Sequence, residues 1–197
     1  MILHADFLWL HLPRTGGTST TDWFRALGRP DCEIDPDGER MKHDNLAIRH
    51  ARNGFTVGSR KVVMNVRPLP DWLSSMCGWW TQSAGRPLPF ERYLQGEFFS
   101  LRVGAWRPAD WWLEYMDHRR VDRWIRTTHL ESDWRDFLSE ELGWDLPARR
   151  VEQLNGAEAA AAPRADLARV DWSDAYRANP RWAELEASFY PAAYQAT

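Results

Sequence analysis

Apolar and polar positions follow two regimes along this chain. The run from Phe7 to Leu12 and the stretch KVVMNVR at 61–67 are short and nearly continuously apolar, each bounded by turn signals, which predicts strands buried on both faces. Helical signals follow each of them. After the first, Thr18 or Ser19 is placed to cap a helix over TSTTDWFRAL, and Gly28 to end it. After the second, Pro68 keeps its predecessor extended, Pro70 suits a first helical position and Asp71 a first turn, so a helix is predicted through PDWLSSMCGWW. Trp72, Met76, Trp79 and Trp80 repeat along that helix at the spacing of a core face. VDRWIRTTHL then reads as a strand, and ESDWRDFLSEELG as a helix ending at Gly143. Such alternation predicts an α/β chain, one domain over 1–197 with a central parallel sheet flanked by helices.

Between these units the pattern is weaker. GRPDCEIDPDGER is turn-rich with room for one short strand, and DNLAIRHARNG reads as a short helix capped by Asp44 and stopped at Gly54. Residues 84–118 are aromatic and mixed, read as helical pieces forming an acceptor-side cover. AEAAAAPRA at 157–165 suits a loop or a short helix, and a last helix begins near Pro180.

Composition narrows the class. With 44% hydrophobic and 27% charged residues the chain matches globular averages, and a net charge of −3 supplies no general attraction to nucleic acid. No apolar stretch approaches the ~20 residues that span a bilayer, and MILHADFLWLHLPR lacks a basic leader with a cleavage site, which reads as cytoplasmic and without a membrane partner. Cys32 and Cys77 form no ligand or disulfide pattern, so no metal is expected. The 13 tryptophans exceed ordinary usage and are assigned mostly to the core.

The chemistry concentrates in HLPRTGGTS at 11–19, where a buried strand gives way to a proline, a cation, two glycines and hydroxyls. Ligands of α/β folds sit beyond strand carboxyl ends, where helix N-termini offer N–H groups to anions. Gly16 and Gly17 permit close backbone approach, Thr15, Thr18 and Ser19 offer hydroxyls, and Arg14 a charge-assisted pair. The same residues also suit an ordinary Gly-Gly turn. Neither GxxxxGK[ST] nor GxGxxG is present.

His11-Leu12-Pro13-Arg14-Thr15-Gly16-Gly17-Thr18-Ser19 resembles the first strand and loop of sulfotransferases that use 3′-phosphoadenosine 5′-phosphosulfate (PAPS), above all the glycan-type branch, with arginine in place of the family lysine. VRPLPDWLSS adds Arg67 and Ser75 at the spacing of that family's 3′-phosphate site. Weaker likeness runs through RWIRTTHLESDWRDFL and QLNG around Asn155. The resemblance implies a P-loop-like sulfotransferase fold. Strand, 5′-phosphosulfate loop and helix would occupy 7–28, the 3′-phosphate site 61–83, and the acceptor-side segment 84–118.

The implied reaction is metal-free transfer of a sulfuryl group from PAPS to a hydroxyl or amine of a small-molecule or carbohydrate acceptor, leaving PAP. The loop, Arg14 included, would hold the phosphosulfate. His43 in MKHDN falls where glycan-type members carry a histidine base, and an imidazole of ordinary pKa near 6.5 suits proton removal at neutral pH. Asp44 is its orienting partner or a competing base. His11 is read as structural. Rival readings are an atypical P-loop kinase, which requires Mg²⁺ carboxylate ligands not found in the sequence, and a nucleotide-binding module without catalysis. Acceptor identity and oligomeric state are not legible.

Overall fold

The computed structural model describes residues 1–36, 40–84, 89–147 and 170–190. The described residues gather into two compact units, one from 1–66 and 115–147, the other from 67–114 and 170–190. The alanine-rich segment 157–165 and Asn155 lie outside the described residues.

The first unit is an α/β arrangement around a five-stranded sheet in the order β3-β1-β2-β4-β7. Its strands are β1 (Ile2–Leu3), β2 (Phe7–Leu10), β3 (Glu33–Ile34), β4 (Lys61–Val66) and β7 (Arg123–Arg126). β2, β4 and β7 are parallel, with Leu10 opposite Met64 and Val66 opposite Arg126, so the three carboxyl ends share one edge. β1 pairs antiparallel with both β2 and β3. The sheet is therefore mixed and not the all-parallel sheet expected. Two-residue strands carry no periodicity by which the sequence could announce them.

All four residues of β2 are fully buried, as a continuous apolar run requires. Helices α1 (Gly17–Leu27), α2 (Leu46–Asn53) and α6 (Leu130–Asp136) accompany the sheet, and α6 runs on as a wider π-type turn to Glu141. Trp23 and Phe24 of α1 pack with Trp134 and Phe137 around Phe7, the Phe24 and Trp134 rings meeting edge-on at 4.9 Å. Gly28 and Gly54 end α1 and α2 in left-handed conformations, as expected. The start of each helix is a correction. Asn45, not Asp44, caps α2, its side chain accepting from the Ile48 N–H; α1 begins at Gly17 behind a left-handed Gly16, with no side-chain cap from Thr18 or Ser19.

The second unit is built on α3 (Leu69–Ala84), longer than expected. Trp72, Met76 and Trp80 bury the expected face while Trp79 is half-buried. Residues 84–118 are not only helical pieces. Between α4 (Phe90–Leu94) and α5 (Asp110–Tyr115) lies an antiparallel hairpin, β5 (Glu97–Ser100) with β6 (Ala105–Pro108). α7 (Ser173–Ala178) and α8 (Pro180–Ala187) complete the unit; Asp110 accepts from the N–H groups of Arg181 and Trp182, capping α8 from outside. Nine of the 13 tryptophans are buried, which settles core packing as their main use.

Candidate functional site

The loop leaving β2 is held from below by side chains that spend their donors on carbonyls. Thr15 is fully buried and its hydroxyl donates to Leu12 O at 2.7 Å. Thr20 donates to Gly16 O at 3.0 Å, and Thr21 to Thr18 O at 2.9 Å and to Gly17 O at 3.1 Å. Asn65, the single polar residue inside β4 and fully buried, donates to Thr15 O at 2.8 Å. These bonds serve the carbonyls of Leu12, Thr15, Gly16, Gly17 and Thr18. Among the described residues no backbone or side-chain acceptor takes the N–H of Gly16, Gly17 or Thr18.

The backbone at Arg14 and Gly16 has positive φ, 63° and 82°. Left-handed residues in a turn can gather N–H groups on one side, and the positive end of the α1 dipole lies at the same point. Arg14 itself is half-buried in that turn, and Thr18 is exposed. Ser19 is buried in the first turn of α1. The hydroxyl of Thr15, which the sequence reading offered to the ligand, points inward instead.

Gly17 has a reason beyond the anion. A Cβ there would lie 1.6 Å from His11 Nε2, because the His11 ring is wedged beneath the first turn of α1. That ring is stacked on Trp9 at 5.0 Å and meets the His43 ring at 4.4 Å. Burial first, and then the neighbouring His43, push its pKa well below the usual imidazole value, so His11 is neutral. Its Nδ1 is buried without a hydrogen-bond partner among the described residues.

His43 closes a 3₁₀ turn, Arg40–His43, and its Nδ1 stands 2.9 Å from His11 O. A carbonyl only accepts, so Nδ1 carries a proton and donates it, which in the neutral ring leaves the lone pair on Nε2. The turn is pinned by the buried Arg49 of α2, which donates to Met41 O at 2.7 Å and to the Asp35 carboxylate at 3.0 Å. Asp44 is buried next to His43 in sequence, yet its carboxylate is paired with Arg52 at 2.8 Å. The sequence reading missed Arg49, Asn65 and Trp9; only Asn65 carried a signal, as a polar residue in an apolar strand.

Arg67 and Ser75 belong to the second unit. Arg67 is half-buried and follows directly on β4; its carbonyl accepts from Trp182 Nε1 at 3.0 Å. Ser75 is buried in the second turn of α3. The turn between them is fixed by Glu186, whose buried carboxylate accepts from the Leu69 N–H at 2.8 Å and from the Tyr176 hydroxyl at 2.9 Å. Burial raises the Glu186 pKa.

Comparison of the chain with family models, with curated proteins and with solved structures finds no match. Among the described residues no group of three His, Cys, Asp or Glu side chains is disposed to hold a metal, and no helix is long and apolar enough to cross a membrane.

Proposed function

We propose that this chain is a sulfotransferase taking the sulfuryl group of PAPS to a hydroxyl or amine acceptor and releasing PAP. The observation that carries the reading is the surplus of donors after β2: hydroxyls and the Asn65 amide serve the loop carbonyls, while the N–H groups of Gly16, Gly17 and Thr18 have no acceptor among the described residues. An ordinary Gly-Gly turn has no need of that arrangement, whereas a phosphate oxygen is satisfied by it.

The bound donor nucleotide would supply a transferable sulfuryl group on a phosphate leaving group. Arg14 and the loop N–H groups stabilise the negative charge that grows on that phosphate as its bond to sulfur breaks. Arg14 is protonated at every working pH, so it acts as fixed charge and not as a proton donor. His43 takes the acceptor proton at Nε2, its Nδ1–H held by His11 O so that the lone pair is fixed on the other nitrogen. Arg67 and Ser75 are assigned to the 3′-phosphate on their sequence spacing. The acceptor class remains a small molecule or carbohydrate.

Thermal shift tests the reading. At 100 times Kd a ligand of the native state adds ~2.7 kcal/mol, which raises Tm by ~5–11 °C in a chain of this size. PAP and PAPS are expected to give that shift in the absence of metal. A response confined to ATP with magnesium would replace the reading with a kinase. Binding of PAP without sulfate transfer to any of a panel of hydroxyl and amine acceptors would leave a nucleotide-binding module.

A further inference from the structure

A buried asparagine in the middle of a strand is costly unless every polar atom is paired. Asn65 is fully buried in β4, between Met64 and Val66, and its amide ties the loop that follows β2 to α1 and to β2 itself. Its Nδ2 donates to Thr15 O at 2.8 Å and to Thr20 Oγ1 at 3.1 Å. Its Oδ1 accepts from Trp9 Nε1 at 2.9 Å, which fixes which way the amide faces. Trp9 in turn stacks on His11, the residue wedged under Gly17.

A loop that cradles an anion must turn its carbonyls away from the ligand, because a carbonyl oxygen facing a phosphate is repelled. Thr15 O directly precedes the N–H of Gly16, and the Asn65 amide at 2.8 Å, with a longer contact from Thr127 Oγ1 at 3.4 Å, holds it toward the interior. An aliphatic side chain would suit the apolar pattern of this strand but would take these partners from Thr15 O and Trp9 Nε1. The polar one is explained by the loop.

We infer that Asn65, oriented by Trp9, is a positioning residue that sets the donor geometry of the 14–18 loop and so governs recognition of the 5′ end of the nucleotide. The inference rests on the sulfotransferase reading for the identity of the ligand, but not for the pinning of the loop.

The test uses the full chain with Asn65→Leu and Trp9→Phe. The second variant removes the indole N–H together with part of the buried ring, and it keeps the question open to measurement should the first fail to fold. One arm needs no ligand: trypsin cleaves after Arg14 only when the loop opens, and cleavage after the exposed Arg120 reports on the rest of the chain. Asn65→Leu is expected to accelerate cleavage at Arg14 by ~10-fold relative to Arg120, and Trp9→Phe by less. The other arm compares PAP with adenosine 3′-monophosphate, which lacks the group this loop holds. Loss of one charge-assisted set of contacts predicts ~10-fold weaker PAP binding with the monophosphate within ~2-fold of wild type. Equal weakening of both nucleotides, or Arg14 cleavage that rises only in step with Arg120, overturns the inference. Wild type that binds neither nucleotide defeats the sulfotransferase reading alone, and the cleavage arm then still decides the role of Asn65.

Discussion

Replacing Gly17 by alanine puts a methyl carbon 1.6 Å from His11 Nε2, 2.2 Å from Cε1 and 2.4 Å from Cδ2. Ordinary contact begins near 3.4 Å, so ring and helix must separate by nearly 2 Å. The ring has nowhere to swing, being buried between Trp9 and His43. Overpacking of a rigid site costs ~1–3 kcal/mol, and the depth of this overlap puts Gly17→Ala at the upper end. A loss of ~3 kcal/mol corresponds to a Tm lower by ~6–12 °C for 150–250 residues. Gly16→Ala provides the contrast: the nearest side-chain atoms stand 3.6 Å away, and the penalty is the left-handed backbone, φ 82°, worth ~1–2 kcal/mol. Thermal and denaturant unfolding of both variants, with His11→Ala and the double variant His11→Ala/Gly17→Ala, separate the causes. Removing the imidazole makes room for the methyl, so the double variant should recover at least ~1.5 kcal/mol relative to the sum of the single losses. A Gly17→Ala protein melting within ~1 °C of wild type, or single losses that simply add, would refute the account of why this position is glycine.

Three further outcomes are expected. His43→Asn keeps an N–H that can reach His11 O but has no basic nitrogen, so PAP binding should persist while transfer falls by ~10²–10⁴-fold; equal activity would remove His43 as the base. Arg14→Lys should retain transfer and Arg14→Ala lose it, and unchanged turnover in the alanine variant would take Arg14 out of the site. His11, held neutral by burial, binds its proton in the unfolded chain below pH ~6.5 but not in the native one. Its contribution is therefore present above that pH and is lost as the pH falls, with a slope of up to ~1.4 kcal/mol per pH unit. Denaturant titrations from pH 7 to 5 should show a shallower decline for His11→Asn than for wild type, and parallel curves would contradict a neutral buried imidazole.

β2 and β4 were legible because strands buried on both faces are almost continuously apolar, whereas β7, Arg-Trp-Ile-Arg with only Ile125 buried, was legible from the helical pattern that follows it. β1 was not, since two residues establish no period, while β3 lies in the turn-rich stretch where room for one short strand was read. The β5–β6 hairpin did leave a signal, EFFS and AWRP flanking LRVG, a four-residue loop with glycine between aromatic segments, although the mixed aromatic pattern of 84–118 reads as helical pieces of an acceptor-side cover. Of the candidate site, the loop and His43 are named from the sequence alone, and of their supports only Asn65 left a signal, as a polar residue in an apolar strand. Arg49 finds Asp35 across 14 positions and an intervening turn, a pairing that spacing alone does not encode.

The two helices that enter from loops in the first unit put the donor surplus in perspective. α2 starts behind Asn45, whose side chain takes the Ile48 N–H at 2.9 Å, the usual remedy for orphaned donors at a helix start. α1 starts amid Thr15, Thr18, Ser19, Thr20 and Thr21, a density of capping residues that could have supplied the same remedy several times over. The hydroxyls of Thr15, Thr20 and Thr21 act as donors to carbonyls instead, and Asn65 adds a further donor from β4. A sequence selected only for the stability of α1 would place one of these oxygens where Asn45 sits in α2. Local rules are broken in this way where a site has another use for the groups left over, and under the proposed function the N–H groups of Gly16, Gly17 and Thr18 take the oxygens of a bound anion.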